Sequence, residues 1–286
     1  MLHGVDTQPQ REHLKQEDVY KRAYENRSGD HYDFCTSPAK LTQAGDTIKS
    51  AESEKIANLT ILNSQESRLA KINSLVFQPL ISILHKLEVE KEALARCEDF
   101  SMESVFLMFA QSTVDKVSKT DLISRLCSMG ITCEALDVEN LVARYDADFD
   151  HKLSLWEFLN MFAPLRSNLR AAIENRPVQA MSNQTVQKVK SVLSKHIDTE
   201  RMCAQIRAQV SSQMPRLRDV FDDLDWNQRG YLTGTEIRRH FAGHPDETQA
   251  YRGATTNAVE LMIRRFNKDK FTGRVSLTEW LEELTP

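Results

Sequence analysis

The stretch YDADFDHKLSLWEF, residues 145–158, places three aspartates at alternate positions before an apolar run. Asp146, Asp148 and Asp150 lie within five residues of one another, and Glu157 follows them. Carboxylates held this close repel one another unless a cation neutralises them. A hard cation such as Ca²⁺ takes six to eight oxygen ligands at about 2.3–2.6 Å. Short Asp side chains at alternate positions can converge on one ion as the backbone curls, so the stretch predicts a calcium site.

The remaining ligands follow from numbering a twelve-residue loop from its first aspartate. The seventh residue would offer its backbone carbonyl, and the ninth would hold a bridging water. The glutamate at the twelfth position opens the next helix and is long enough to bind with both oxygens. The predicted metal ligands are Asp146, Asp148, Asp150, Lys152, Ser154 and Glu157.

The sequence DADFDHKLSLWE resembles the calcium loop of the EF-hand family. Leu153, at the eighth position, fits the short strand through which the loops of that family pair. The resemblance implies Ca²⁺ as the cofactor. His151 departs from it, because the family has Gly at the sixth position, where φ is positive. A side chain there costs about 1 kcal/mol, or about fivefold in affinity. Binding should therefore weaken without being lost, with a Kd of about 10⁻⁶–10⁻⁴ M.

Three further loops repeat the pattern of an apolar helix end, a polar loop and an acidic residue near its end. Loop 110–121 has Ala110 and Val114 at ligand positions, so we expect a structural partner loop without metal. Loop 267–279 is one residue too long and carries lysines where negative charge is needed. We expect no calcium there.

Loop 225–236 is intermediate, because it keeps several ligand types but has Arg229 at the fifth position. The guanidinium would neutralise the loop internally, so this loop predicts at most a weak site. Its candidate ligands are Asp225, Asn227, Tyr231, Thr233 and Glu236.

The repeat predicts an all-α protein with two EF-hand pairs, over residues 100–163 and 215–286. Helical periods predict a long helical connector over 164–214. Amphipathic helices are expected over 51–99. A polar stretch without apolar period predicts a flexible, disordered N-terminal arm over 1–50.

Leucines, valines and isoleucines recur every seven residues between residues 51 and 97. Pro79 interrupts this stripe, which predicts two helices, about 52–77 and 79–97. Two interpretations stay open: a hairpin that packs on its own domain, and an intermolecular coiled coil. The residues of the stripe are Leu62, Leu69, Val76, Leu80, Ile83, Leu87 and Leu94.

Composition limits the remaining function classes. The net charge of −4 without a long basic run argues against nucleic acid as a partner. No run of about 18 apolar residues occurs, so membrane insertion is not expected. Five cysteines without CxxC spacing favour a reduced, cytoplasmic setting. No motif of a hydrolase, nucleotide-binding enzyme or metalloprotease is present, so the chain is not expected to be an enzyme.

Two functions fit these features. The first is a structural adaptor that binds protein partners within a larger assembly and uses residues 51–97. Its degenerate EF-hand pairs and helical extension resemble components of cilia and other cytoskeletal, microtubule-associated arrays. The second is a calcium sensor or regulatory subunit whose lobe opens for an amphipathic target helix, as the resemblance to calmodulin and troponin C implies.

Overall fold

The computed structural model describes residues 38–110, 115–214, 216–242, 255–267 and 272–286. The chain divides into two units, residues 1–61 and residues 62–286. The described residues are mostly helical with a few short strands, which confirms the all-α prediction. Within these parts of the chain, no helix combines the length and apolar character needed to span a membrane.

The first helix, α1, runs from Pro38 to Ile72. It begins before the predicted start at residue 52 and includes residues 38–50, which the sequence assigns to the flexible arm. Proline is favoured at the first position of a helix, because the N–H it lacks has no intrahelical partner there. The rest of the predicted arm, residues 1–37, lies outside the described residues.

Pro79 marks a change of helix type without a turn in the chain. A single π-helical turn, Asn73–Phe77, follows α1 and leads directly into α2, Gln78–Ala95. Within an α-helix the proline ring would clash with the carbonyl four residues earlier. The wider turn, in which the Gln78 N–H bonds to the Asn73 carbonyl, relieves that clash. A proline in the first turn of the second helix is confirmed, but no hairpin forms.

The first lobe contains two helix–loop–helix units joined by a two-stranded antiparallel sheet. Val117 pairs with Leu153, the residue predicted to form this strand. The elements of the first lobe are α3 (Met102–Phe109), β1 (Lys116–Ser118), α4 (Lys119–Ser128), α5 (Ala135–Tyr145), β2 (Lys152–Ser154) and α6 (Leu155–Phe162).

Two helices, α7 (Ser167–Glu174) and α8 (Asn183–Gln213), occupy the predicted connector. The second lobe then repeats the plan of the first, and Leu232 pairs with Val275 in its antiparallel sheet. Its elements are α9 (Leu217–Leu224), β3 (Tyr231–Leu232), α10 (Gly234–Ala242), α11 (Thr255–Phe266), β4 (Val275–Ser276) and α12 (Leu277–Leu284).

Helices α2 and α8 pack along each other and link two hydrophobic cores. The first lobe shares its core with Leu87 and Leu94 of α2 and with residues 189–197 of α8. The second lobe shares its core with Leu80, Leu84 and the C-terminal part of α8. The two helices are therefore antiparallel, and each contributes one part of its length to the first core and the other part to the second core.

This packing covers the apolar faces that the sequence predicts as core. Phe106, Phe109, Phe158 and Phe162 are fully or almost fully buried. The stripe over residues 51–97 is likewise buried in its own chain from Val76 onward. The first interpretation, a hairpin that packs on its own domain, is thus correct in its packing for α2 but wrong in its shape, because α1 and α2 follow each other without a turn. Earlier stripe residues are exposed or partly buried.

A buried ion network crosses from the first lobe to the second. Arg265 on α11 donates two hydrogen bonds to Glu200 on α8, at 2.6 and 2.9 Å, and a third to Glu283 on α12, at 2.6 Å. Arg144, at the end of α5, bonds to the same Glu283 at 3.0 Å. The helix that enters loop 146–157 is thereby tied to the last helix of the second lobe.

Candidate metal centre

Loop 146–157 runs from the end of α5 through β2 into the first turn of α6. Its second end is fixed by a capping box, in which the Ser154 hydroxyl accepts the Glu157 N–H. In return Glu157 accepts the Ser154 N–H at 2.9 Å and its hydroxyl at 2.7 Å. A Ser followed three residues later by Glu is the sequence signature of such a box. The box places the carboxylate of Glu157 at the mouth of the loop.

Three of the predicted ligands come together in the structure. Asp146, Asp148 and Glu157 each offer a carboxylate oxygen, and these oxygens lie within 4.8 Å of one another. Asp146 is 7% exposed and Glu157 is 3% exposed, whereas Asp148 faces solvent. The donor set is all oxygen and carries three negative charges, which suits a hard divalent cation.

Hydrogen bonds to Asp146 curl the backbone of the loop. Its two oxygens accept the N–H groups of Asp150, at 3.2 Å, and His151, at 2.9 Å. The φ angle of His151 is +62°, the positive value predicted for the sixth position. Phe149 has φ +59° as well. The loop therefore holds a conformation that disfavours side chains at two places.

Burial and hydrogen bonding act in opposite directions on Glu157. Burial alone would raise its pKa. Hydrogen bonds from the Ala147 N–H, at 2.6 Å, and from the Ser154 hydroxyl and N–H outweigh this. Its pKa is consequently lower than usual. The glutamate is ionised at neutral pH, as a bidentate ligand must be.

The carboxylate of Asp150 does not join this cluster and instead pairs with Lys116, which is not among the predicted ligands. Lys116 on β1 forms an ion pair with Asp150, and its Nζ lies 3.3 Å from an oxygen of Asp148. The hydrogen bond from Lys116 lowers the pKa of Asp150, and Asp150 in turn raises that of Lys116. Lys116 thus neutralises part of the charge in the loop.

The pairing of the strands explains how Lys116 reaches the loop. It lies opposite Ser154 in the antiparallel register, one residue before Val117. The sequence could have indicated this contact, because Lys116 precedes Val117, the eighth residue of the partner loop 110–121. The strand around Val117 pairs with β2, which brings its neighbour Lys116 to the acidic loop. Lys152 and Ser154 both lie on β2, and the Ser154 hydroxyl is bonded to Glu157.

Loop 225–236 has the same backbone form but a different source of positive charge. Asp225 is buried and accepts the Gly230 N–H at 2.6 Å, as Asp146 accepts that of His151. Gln228 and Gly230 have positive φ, at the same two positions as Phe149 and His151. The second oxygen of Asp225 is buried, with no hydrogen-bond partner within the described parts of the chain.

In this second loop an arginine supplies the cation. Arg229 forms an ion pair with Glu236, whose side chain is fully buried. Glu236 also accepts hydrogen bonds from Asn227, at 3.2 Å, and from the Thr233 N–H, at 2.9 Å. The guanidinium lies 5.0 Å from the ring centre of Tyr231. The predicted internal neutralisation is present, and a metal ion would have to displace Arg229.

The other two loops bring no further acidic cluster together within the described ranges. In loop 110–121, Asp121 caps its own helix by accepting the Ser118 N–H at 3.1 Å. In loop 267–279, Asn267 bonds to Thr272 at 3.0 Å. Residues 111–114 and 268–271 of these loops are outside the described part of the chain.

No protein-family model matches the chain, and no curated protein matches it significantly.

Replacing His151 by glycine should tighten calcium binding by up to about tenfold. Glycine adopts a positive φ without the steric cost that a side chain incurs. Calorimetric titration of the full chain measures the change. His151→Ala is the matched control and should give no gain, because alanine keeps the Cβ. Unchanged or weaker binding by His151→Gly would contradict a strained sixth position.

Replacing Lys116 by methionine should tighten calcium binding severalfold. In the wild type a metal ion must compete with the ammonium group of Lys116 for Asp148 and Asp150. Without Lys116, the carboxylates of the metal-free loop would repel one another, and a bound calcium ion would relieve that repulsion. Lys119→Met is the control, since Lys119 pairs with Glu139 outside the loop. Equal affinities for the wild type and Lys116→Met, measured at the same salt concentration, would refute this role.

Proposed function

We propose that this chain is a calcium-binding EF-hand protein that holds one Ca²⁺ in loop 146–157. The observation that carries the proposal is the convergence of Asp146, Asp148 and Glu157 at a curled loop between two helices. Two pairs of helix–loop–helix units, each joined by a short antiparallel sheet, support the family assignment.

We further propose that the protein acts as a structural adaptor in a larger assembly. A sensor of the calmodulin kind needs an apolar groove that receives a partner's helix. Here α2 and α8 cover the apolar faces of both lobes. The chain's own helices therefore occupy the apolar surfaces to which a sensor would bind a target helix.

Energies support this choice. One site at a calcium concentration tenfold above its Kd can contribute about 1.4 kcal/mol to a conformational change. Re-exposing a single buried Leu or Phe side chain costs about 1.5–3 kcal/mol. Leu80, Leu84, Leu87 and Leu94 of α2 are all buried. One calcium ion cannot offset the removal of this helix.

The region that the sequence predicts to contact protein partners, residues 51–97, is accordingly reduced, because part of it is buried in the cores. Most apolar side chains of α2 are buried in the cores, whereas α1 presents apolar side chains to solvent. Leu59 and Ile61 are 59% and 60% exposed on that helix. We propose that protein partners, such as a cytoskeletal or axonemal assembly in the cytoplasm, bind there. Neither catalysis nor binding to nucleic acid or membranes is part of the proposal.

Calcium should leave the lobes closed and the protein on its assembly. In the test, the full chain is titrated with calcium in the presence of a dye that fluoresces on apolar surface, and cells are fractionated with and without chelator. We expect no rise in fluorescence and no release by chelator, while Leu59→Glu with Ile61→Glu releases the protein. A calcium-dependent rise together with release by chelator would favour the sensor.

A further inference from the structure

A cavity of about 320 Å³ lies between the two lobes. Its walls come from α2, α5, α6, α7, α8 and α11. Leu84, Leu87 and Leu261 give it an apolar side. Its volume is at the lower end of the range for small-molecule sites, about 300–1,000 Å³. The space suits a short organic molecule and is too small for a partner's helix.

Positive groups outnumber negative groups on the cavity wall. The two carboxylates are those of Glu88 and Glu200. The five cations are those of Lys91, Arg144, Arg170, Arg264 and Arg265.

Each of the four arginines has an ion-pair partner. Arg144 pairs with Glu283 and Arg265 with Glu200 and Glu283. The other two pairs lie within single helices, and their members are Arg170 with Glu174 and Arg264 with Glu260.

Lys91 differs from the arginines. It is 8% exposed, and within the described residues no carboxylate lies within 4 Å of its ammonium group and no hydrogen bond holds it. Glu88, one turn earlier on α2, attracts it electrostatically but accepts the Leu165 N–H. Burial lowers the pKa of Lys91 to about 8, so it still carries its charge at neutral pH. A buried ammonium has three N–H donors to satisfy.

The neighbouring polar groups do not meet this demand. The Nε2 of His196 is bonded to the Met161 carbonyl at 2.8 Å, and the Thr199 hydroxyl donates to the Lys195 carbonyl at 2.7 Å. The Oδ1 of Asn160 accepts a hydrogen bond from Arg170 at 3.1 Å, and its Nδ2 is buried. The cavity therefore holds a buried ammonium group with unmet hydrogen-bond donors beside an apolar wall.

We propose that this cavity binds a small organic carboxylate, whose anionic head meets Lys91 and whose short hydrocarbon chain lies against Leu84, Leu87 and Leu261. A carboxylate accepts several hydrogen bonds and would give Lys91 the close negative partner that it lacks. The hydrocarbon gains from leaving water at the apolar wall. Trp156 of loop 146–157 lines the cavity, but Asp146, Asp148 and Glu157 do not. Binding of the carboxylate should therefore not require calcium.

Octanoate is the probe, titrated calorimetrically into the full chain in the presence of a calcium chelator. We expect saturable binding of one octanoate per chain. Lys91→Met should weaken it at least about tenfold, since the charge is lost while the length of the side chain is kept. Lys86→Met, a change of an exposed lysine on the same helix, should stay within about twofold of the wild type. Octanol, which has the chain but no charge, should bind at least about tenfold more weakly than octanoate.

Three results would overturn the proposal. They are the absence of saturable octanoate binding at millimolar concentration, equal affinity of Lys91→Met and the wild type, and equal affinity for octanol and octanoate. The first would mean that the cavity holds only water. Because chelator is present throughout, failure here would leave the calcium site untouched, and failure of the calcium site would leave this result unchanged.

Discussion

Replacing Arg265 by methionine should lower the free energy of unfolding by about 3–5 kcal/mol. The guanidinium is 7% exposed and holds both Glu200 and Glu283, which are themselves buried. Its attraction lowers the pKa of Glu200 against the effect of burial. Without it, two carboxylates would remain in the interior without a full counter-charge, and removal of one partner from such a group is costly.

Urea denaturation of the full chain measures this loss. The neighbouring residue supplies the control, because Arg264 is exposed and pairs with Glu260 one turn away on the same helix. Arg264→Met should cost less than about 1 kcal/mol. Adding Glu200→Gln and Glu283→Gln to Arg265→Met should recover part of the loss, since the buried charges disappear. A loss from Arg265→Met no larger than that from Arg264→Met would show that the network does not hold the lobes together.

The sequence predicts the local part of this structure well. A period of apolar residues and an eighth-position aliphatic residue suffice to place the loops and the pairing of Val117 with Leu153. The capping box at Ser154 and Glu157 is also readable, because its two residues lie three apart. These features depend on neighbours in the chain, so sequence spacing contains them.

Features that join distant residues are not readable in the same way. The stripe over residues 51–97 shows that one face must be buried, but not what buries it. That α2 shares both cores with α8 depends on contacts between helices that are far apart in the sequence. The charge network of Arg144, Glu200, Arg265 and Glu283 is equally dispersed along the chain. Lys116 reaches the acidic loop only through the strand register.

Glu157→Gln should weaken calcium binding at least about a hundredfold, which moves the expected Kd from about 10⁻⁶–10⁻⁴ M to about 10⁻⁴–10⁻² M or higher. The change takes away one full charge and the bidentate carboxylate, while it preserves the shape of the side chain. Glu279→Gln is the matched control, because Glu279 occupies the same capping box in loop 267–279 and accepts the Ser276 hydroxyl at 2.8 Å. That variant should bind calcium as the wild type does. If the two variants lose affinity equally, loop 146–157 is not the site.

The number of calcium ions bound per chain tests the central claim most directly. Calorimetric titration of the full chain should give one ion, with a Kd of about 10⁻⁶–10⁻⁴ M. Asp225→Asn should leave this value almost unchanged, since Arg229 already neutralises Glu236 in loop 225–236. No heat of binding at millimolar calcium, or two or more ions bound with equal affinity, would contradict the assignment of a single site to Asp146, Asp148 and Glu157.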